Sequence, residues 1–372
     1  MLRAHIIRMY PTKEQHRQLC NTLGASRYAY NWALKRWESL YKDFTEGKVE
    51  DRPNAYKIDT LWTVEKPEWV NETSRNAQQQ AILNLGKAYK SFFKGLTKKP
   101  TLHKKGGKES FYIPNNKARF YGRTINLPNI GRVKLAELLR FEGKIQGYTV
   151  THYADQWHLV VTVEVEADVR PVCIYKDSVV GIDVGLAVPA TASDGTVCTL
   201  PDEKMKRLEK HLKKYQKRLA RSKSSKTNNH KKLLKRKQRI QIRINNIRKD
   251  VSHKFTTNIT KSHGTVVVED LSIQEMKDKA KWKSLRRTFN SSMMSMILFQ
   301  LEYKAQKVIK VNRYFPSSKT CSHCGNIKKD LQLSDRAYTC EACGLSIDRD
   351  LNAALNLKNY AVGLVKPDQI NF

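Results

Sequence analysis

The chain has 372 residues, 69 of them Lys or Arg against 35 Asp or Glu, for a formal charge of +34. That excess is beyond what solubility needs and implies a polyanionic partner, nucleic acid first, with a ribosomal or histone-like binder and an anionic membrane surface as blander readings. No apolar run reaches the roughly 18 residues of a membrane-spanning helix, the opening MLRAHIIRMYP has no long apolar core of a secretory signal, and seven cysteines, four at metal-ligand spacing, suit a reducing cytosol rather than a disulfide framework.

The length accommodates two or three domains. Residues 2–10 read as a strand ended by Pro11, and Thr12 with Gln15 three residues on forms a capping box for a helix. Leu19, Leu23, Tyr28, Trp32 and Trp37 then mark amphipathic helices with a break near Gly24. A second helical block runs from Arg75 to Gly95, its apolar stripe Ile82, Leu85, Tyr89, Phe92 and Phe93. Arg75, Asn76, Gln79 and Gln80 lie at its N-terminal end, where Asn and Gln suit adenine edges in a major groove; the plainer reading is a solvated first turn. After a basic loop, 96–110, the pattern changes to period two, and FYIPN, TINLPNIGRVKL, IQGYTVTHY and QWHLVVTVEVEA read as strands of a small antiparallel barrel or sandwich, with strand 2–10 able to join it.

A linker at 171–177 precedes SVVGIDVGL, an apolar strand interrupted by Asp183, and a hairpin turning at Asp194-Gly195. A carboxylate there is costly unless partnered, by backbone at a strand end or by a metal. Residues 204–250 carry 20 Lys or Arg against Glu209 and Asp250, with apolar residues at helical spacing and a turn at Ser222–Asn229: a basic helical hairpin with one apolar seam, fit for phosphate contacts. Gly264–Leu271 is a strand ending in the pair Glu269-Asp270, Leu285–Lys307 a further helix, and Lys307–Phe315 a strand.

The C-terminal segment holds two chemistries. Cys321-x2-Cys324 and Cys340-x2-Cys343 are separated by fifteen residues. Two such knuckles give the four thiolates of a closed, structural Zn²⁺ site, with His323 a turn residue and a redox Cys pair the alternative. Asp348-Arg349-Asp350 then opens a helix, Asn352–Leu357. Acids at Asp183, Glu269 and Asp350, from two strands and one helix start, are an all-oxygen set for Mg²⁺ or Mn²⁺ and for phosphodiester hydrolysis by two metals.

In this order, GIDVGL, VVVEDL, the double CxxC and DRDLNAALNL resemble the TnpB family, transposon-encoded RNA-guided DNA nucleases related to type V CRISPR effectors; FPSSKTCSHCG, AYKSFFKG and HIIRMYPTKEQ add to the resemblance. It implies a multidomain α/β chain: a wedge β-barrel (1–11 and 100–175), a helical recognition lobe (12–99), an RNase H-like RuvC nuclease domain (176–318 and 345–372) and an inserted zinc ribbon (319–344). It implies catalytic acids Asp183, Glu269 and Asp350, structural zinc on Cys321, Cys324, Cys340 and Cys343, and catalytic Mg²⁺ or Mn²⁺. Its partners would be a guide RNA from the transposon end and target double-stranded DNA bearing a short adjacent motif, in a prokaryotic cytoplasm with no membrane role. Asn76 and Gln80 are the candidate motif readers and Arg75 a phosphate contact. A nuclease-inactive guided repressor, a transposase and a generic RNA-binding module stay open; all three acids are present, which favours an enzyme. The tail after Tyr360 carries no readable motif.

Overall fold

The computed structural model describes residues 1–372 except 107–108, 167–169, 223–226, 329, 333–334 and 364–372. Parts of the basic loop and of the Ser222–Asn229 turn, and most of the C-terminal tail, thus lie outside the described residues. The chain divides into two compact units, Met1–Asp168 and Val169–Phe372.

In the first unit, β1 (Leu2–Tyr10) buries alternate residues His5, Ile7 and Met9, as a strand with one wet face must. Thr12 and Gln15 then cap each other's end of α1 (Lys13–Thr45), with the Gln15 amide donating to Thr12 Oγ1 at 3.3 Å and Thr12 N donating to Gln15 Oε1 at 3.1 Å. The expected break near Gly24 is absent. A glycine costs a helix only about 1 kcal/mol, and Leu23 and Ala25 on either side of it are buried. A helix that the sequence pattern did not reveal, α2 (Ala55–Glu65), starts at Asn54, whose side chain accepts from Lys57 N, and buries only Ile58, Asp59 and Trp62. Next, α3 (Arg75–Phe93) packs Ile82, Leu85 and Tyr89 inward, Tyr89 stacking on Trp37 at 4.5 Å.

The period-two region forms β2 (Glu109–Pro114), β3 (Arg119–Tyr121), β4 (Thr124–Leu127), β5 (Gly131–Leu135), β6 (Lys144–Tyr153) and β7 (Gln156–Glu164). With β1 they make a seven-stranded antiparallel sheet in the order β2-β6-β7-β1-β5-β4-β3. The strand before the helices does join the later ones. The expected barrel is corrected, however: among the described residues no pairing closes β2 onto β3. Pro114 ends β2 without a donor, and the link to β3 bonds to β6 instead, Asn115 Nδ2 donating to Ile145 O (3.1 Å) and Tyr148 Oη to Ala118 O (3.1 Å).

The second unit is built on a five-stranded sheet. Its strands are β8 (Val179–Asp183), β9 (Ala190–Ala192), β10 (Val197–Cys198), β11 (Thr265–Glu269) and β12 (Lys307–Val311), in the order β10-β9-β8-β11-β12. The first three form an antiparallel meander, and β11 runs parallel to both β8 and β12. Flanked by parallel neighbours on both sides, β11 is apolar on both faces, as parallel strands covered on both sides are: Val266 and Val268 join one core cluster, Val267 another.

Two long basic helices, α4 (Asp202–Ala220) and α5 (Asn228–Ser262), meet along Met205, Leu208 and Ile244. The helix expected over 285–307 is instead α7 (Lys283–Ser291) and α8 (Met294–Lys304), parted at Ser292-Met293, with the short α6 (Ile273–Lys279) before them. Ser292 turns its hydroxyl back to Phe289 O (2.8 Å), a local bond that ends α7. Polar pins fix α8 on α5: Ser252 and Thr256 hydroxyls both donate to Gln300 Oε1 at 2.9 Å, and Lys304 Nζ donates to Thr256 Oγ1 (2.7 Å) and Thr257 Oγ1 (2.8 Å). Burial pushes Lys304 down to about 8. The small hairpin β13 (Ala337–Thr339) and β14 (Ser346–Asp348) leads into α9 (Arg349–Ala361), which covers the Val267 face through Leu357. No helix among the described residues is long and apolar enough to cross a membrane.

Candidate active site and metal centre

Strand alternation decides where the two strand acids point. In β8, Val180 and Ile182 belong to the core beneath α5 and α8, so Gly181 and Asp183 share the opposite face. In β11, Glu269 shares its face with Val267, which packs with Leu357 of α9. Val268 pairs with Ile182, which brings Glu269 level with Asp183 at the carboxyl ends of adjacent parallel strands. The third acid comes from α9, one helical turn before Ala354. A Cβ on Gly181 would run into Ala354 O and stand 2.6 Å from Lys358 N. The helix therefore lies directly on the β8 backbone, which only glycine permits.

The electrostatics follow from this convergence. Burial, then the charges of Glu269 and Asp350, push Asp183 up to about 7, while Arg349 pulls the other way. Glu269 is also raised by burial, against a hydrogen bond from the Ser317 hydroxyl that favours its ionised form. Asp350 is raised by burial and by Asp348. All three retain part of their surface to solvent. Asp348 has separate work: its Oδ1 accepts from Asp350 N (2.9 Å) and Leu351 N (3.0 Å), capping α9. Three partly buried carboxylates, all raised by burial and one of them also by the charges of the other two, fit a hard divalent cation, whose charge would relieve that strain.

The four cysteines make a second centre. Among the described residues they are the one group of three or more potential ligands whose donor atoms all lie within 4.8 Å of one another. Sγ separations are 3.6 Å for Cys321–Cys343 and 3.5 Å for Cys324–Cys340, close to the roughly 3.8 Å edge of a tetrahedron with Zn–S near 2.3 Å. The two knuckles repeat one geometry. Gly325 N donates to Cys321 O and Gly344 N to Cys340 O, both at 3.0 Å, and both glycines have positive φ (76° and 73°). The donor set is that of structural zinc.

Side chains that sequence reasoning missed join the two centres. Asn352 Oδ1 accepts from Ser322 N (3.0 Å), and its Nδ2 donates to Thr320 O (2.7 Å). Asn356 Nδ2 donates to Ser317 O (2.7 Å) and Thr320 O (2.6 Å), and Asn359 Nδ2 to Ser322 O (3.1 Å). Asn352, Asn356 and Asn359 lie at i, i+4 and i+7 on α9, one face clamping the backbone of the first knuckle. The periodic asparagines of DRDLNAALNLKN were the available signal.

In the first unit, Arg75 Nη2 donates to Asp59 Oδ1 (2.8 Å) and Thr63 Oγ1 (3.1 Å), so this guanidinium fastens α3 to α2. Asn76 and Gln80 are half-buried one turn apart, and Gln80 Nε2 donates to Asn84 Oδ1 (2.9 Å). Gln80, Asn84 and Lys87 line a cleft of about 990 Å³ together with Arg27 and His103.

These features define a mixed α/β multidomain protein with a cluster of carboxylates and a four-cysteine cluster, and the chain is similar to known proteins along most of its length. Family models match at 295–357 ("Cas12f1-like, TNB domain"), 158–280 ("Probable transposase") and 1–46 ("Helix-turn-helix domain"). A Streptomyces pristinaespiralis protein named "Putative RNA-guided DNA endonuclease" is 30% identical, the alignment covering 97% of this chain and 89% of that one. Escherichia coli K12 "Putative RNA-guided DNA endonuclease InsQ" is 28% identical, with 96% and 91% covered. The Cas12f1 chain of a Cas12f1–sgRNA–target DNA complex superposes with a TM-score of 0.52 at 16% identity, covering 96% of this chain and 99% of that one. The chain belongs to the TnpB (OrfB/IS605) family.

Proposed function

We propose that this chain is an RNA-guided DNA endonuclease whose nuclease centre is Asp183, Glu269 and Asp350. The observation that carries the reading is the meeting of these acids at one edge of the β8–β11 pair, close enough for the other two to raise Asp183. The sheet supports an RNase H-like (RuvC) assignment: an antiparallel meander followed by two parallel strands, the first acid ending the central strand. On this reading the second unit is the nuclease domain with the zinc ribbon inserted before the last acid, the helices α1–α3 are the recognition lobe, and the seven-stranded sheet is the wedge.

Each residue's task follows from its surroundings. Asp183 and Glu269 face one another's charge and would hold the catalytic cations from the strands, Asp350 from the helix. Ser317 favours the ionised form of Glu269 by donating to it, against the burial that raises the acid. When bound, Mg²⁺ or Mn²⁺ at these oxygens would supply an activated water and steady the departing oxygen. The +34 charge supplies the attraction for the nucleic acid backbones. Pairing with a guide RNA from the transposon end would supply sequence, and Asn76 and Gln80 would read the short adjacent motif. The names of the relatives support the RNA-guided part of this reading. Sequencing the RNA that co-purifies with the protein tests it. A discrete species ending in transposon-flanking sequence is expected, and protein that purifies without bound RNA overturns the guided reading.

A further inference from the structure

We propose that Tyr314 is a stacking platform for a nucleobase of the strand being cut, within a few nucleotides of the scissile phosphate; this rests on the nuclease reading above. The residue lies in a turn that leaves Glu269 and returns to it. Val311, at the end of β12, pairs with Glu269, and Asp270 N donates to Val311 O at 2.8 Å. Six residues later the Ser317 hydroxyl donates to the Glu269 carboxylate. Tyr314 is three residues from each, so its Cα lies within about 11 Å of both.

The turn is held on every side. Tyr314 N donates to Asn312 Oδ1 (3.0 Å), Phe315 N to Asn312 O (2.9 Å) and Ser317 N to Phe315 O (2.8 Å). Arg313 is bound to Glu275 of α6 at 2.8 Å, and buried Phe315 packs edge-on against Tyr360 at 5.3 Å. From this fixed base Tyr314 stands 71% exposed, and among the described residues its ring and hydroxyl have no stacking, cation or hydrogen-bond partner. Singly exposed aromatics are ordinary on a surface; this one is distinguished by its fixed mounting on a turn whose two ends both contact Glu269.

The neighbouring charges favour a base over a phosphate as the occupant. Arg313 is spent on Glu275 and Lys310 on Glu302 (2.6 Å), which leaves the ring as the turn's free binding element. Stacking is indifferent to base identity, which suits a nuclease centre that must accept whatever sequence is delivered to it. The ligand class is therefore an unpaired segment of DNA, gripped by one base so that its phosphate stays at the acids.

The test uses the protein with its co-purified RNA and a matched duplex carrying a fluorescent adenine analogue near the cut. Tyr314→Ala should raise KM about tenfold with kcat nearly unchanged, and should abolish the quenching of the analogue measured in calcium. Tyr314→Phe, which keeps the ring, should restore both, and the melting temperature of each variant should match the parent. Unchanged KM and quenching in Tyr314→Ala overturns the stacking role alone. Wild-type protein that binds matched DNA but never cuts it overturns the nuclease reading, and this proposal with it.

Discussion

Asp183 holds its proton far more tightly in the folded chain, where it titrates at about 7, than it would unfolded, near 4. The folded state thus binds the extra proton between those values, and this residue's contribution to stability is complete below pH 4 and lost as pH rises to 7. Without divalent cations, Asp183→Asn should therefore stabilise the protein at pH 8, by on the order of 3 kcal/mol, with the gain shrinking towards pH 5. Thermal melts of both proteins across that range check it, and added Mg²⁺ should narrow the difference at pH 8. Ser317 works in the opposite direction on Glu269: its hydrogen bond lowers that acid against burial. Ser317→Ala should move the acidic limb of the pH–rate profile upward, slowing cutting at pH 6 while rates converge above pH 8.

Between elements, the seating of α9 decides whether the acids meet. Gly181 lets the helix lie on β8. A methyl at that position has only backbone to meet, so Gly181→Ala should cost roughly 3 kcal/mol or more and separate Asp350 from Asp183, with loss of cutting even where the protein remains folded by circular dichroism. The asparagine clamp ties the same helix to the first cysteine knuckle. Asn356 is fully buried and donates twice; Asn356→Leu would leave Ser317 O and Thr320 O without that donor and should destabilise the chain by roughly 2–4 kcal/mol. Because the clamp joins the centres, Cys321→Ser should release zinc and reduce cutting together, measurable as metal content and rate in one preparation. Unchanged zinc content in that variant would contradict the four-cysteine zinc assignment.

At the scale of the whole molecule, guided DNA binding should weaken steeply with salt, as many phosphate contacts require. The sequence disclosed much of the candidate site because its parts have local signatures: a carboxylate ending an apolar strand, an acid opening a helix, cysteines at fixed spacing. It hid what depends on approach between distant segments. Ser317 meets Glu269 across 48 residues, and the need for Gly181 appears only when α9 lies over it. In the fold, the helices and strands announced by strong periodicity are present, whereas the barrel did not form because Pro114 and the link after it bond back to β6. The break between α7 and α8 was concealed by apolar residues that continue through Met293.

The most direct measurement is cutting of guide-matched, motif-bearing DNA by the protein–RNA complex in Mg²⁺, with Asp183→Ala, Glu269→Ala and Asp350→Ala run beside the parent. Each variant should bind RNA and DNA as the parent does and cut at least about a hundredfold more slowly, the scale expected when an essential catalytic group is removed. Parental cutting by any of the three would contradict the assignment of that acid, and cutting that persists in chelator would contradict the metal-dependent centre as a whole.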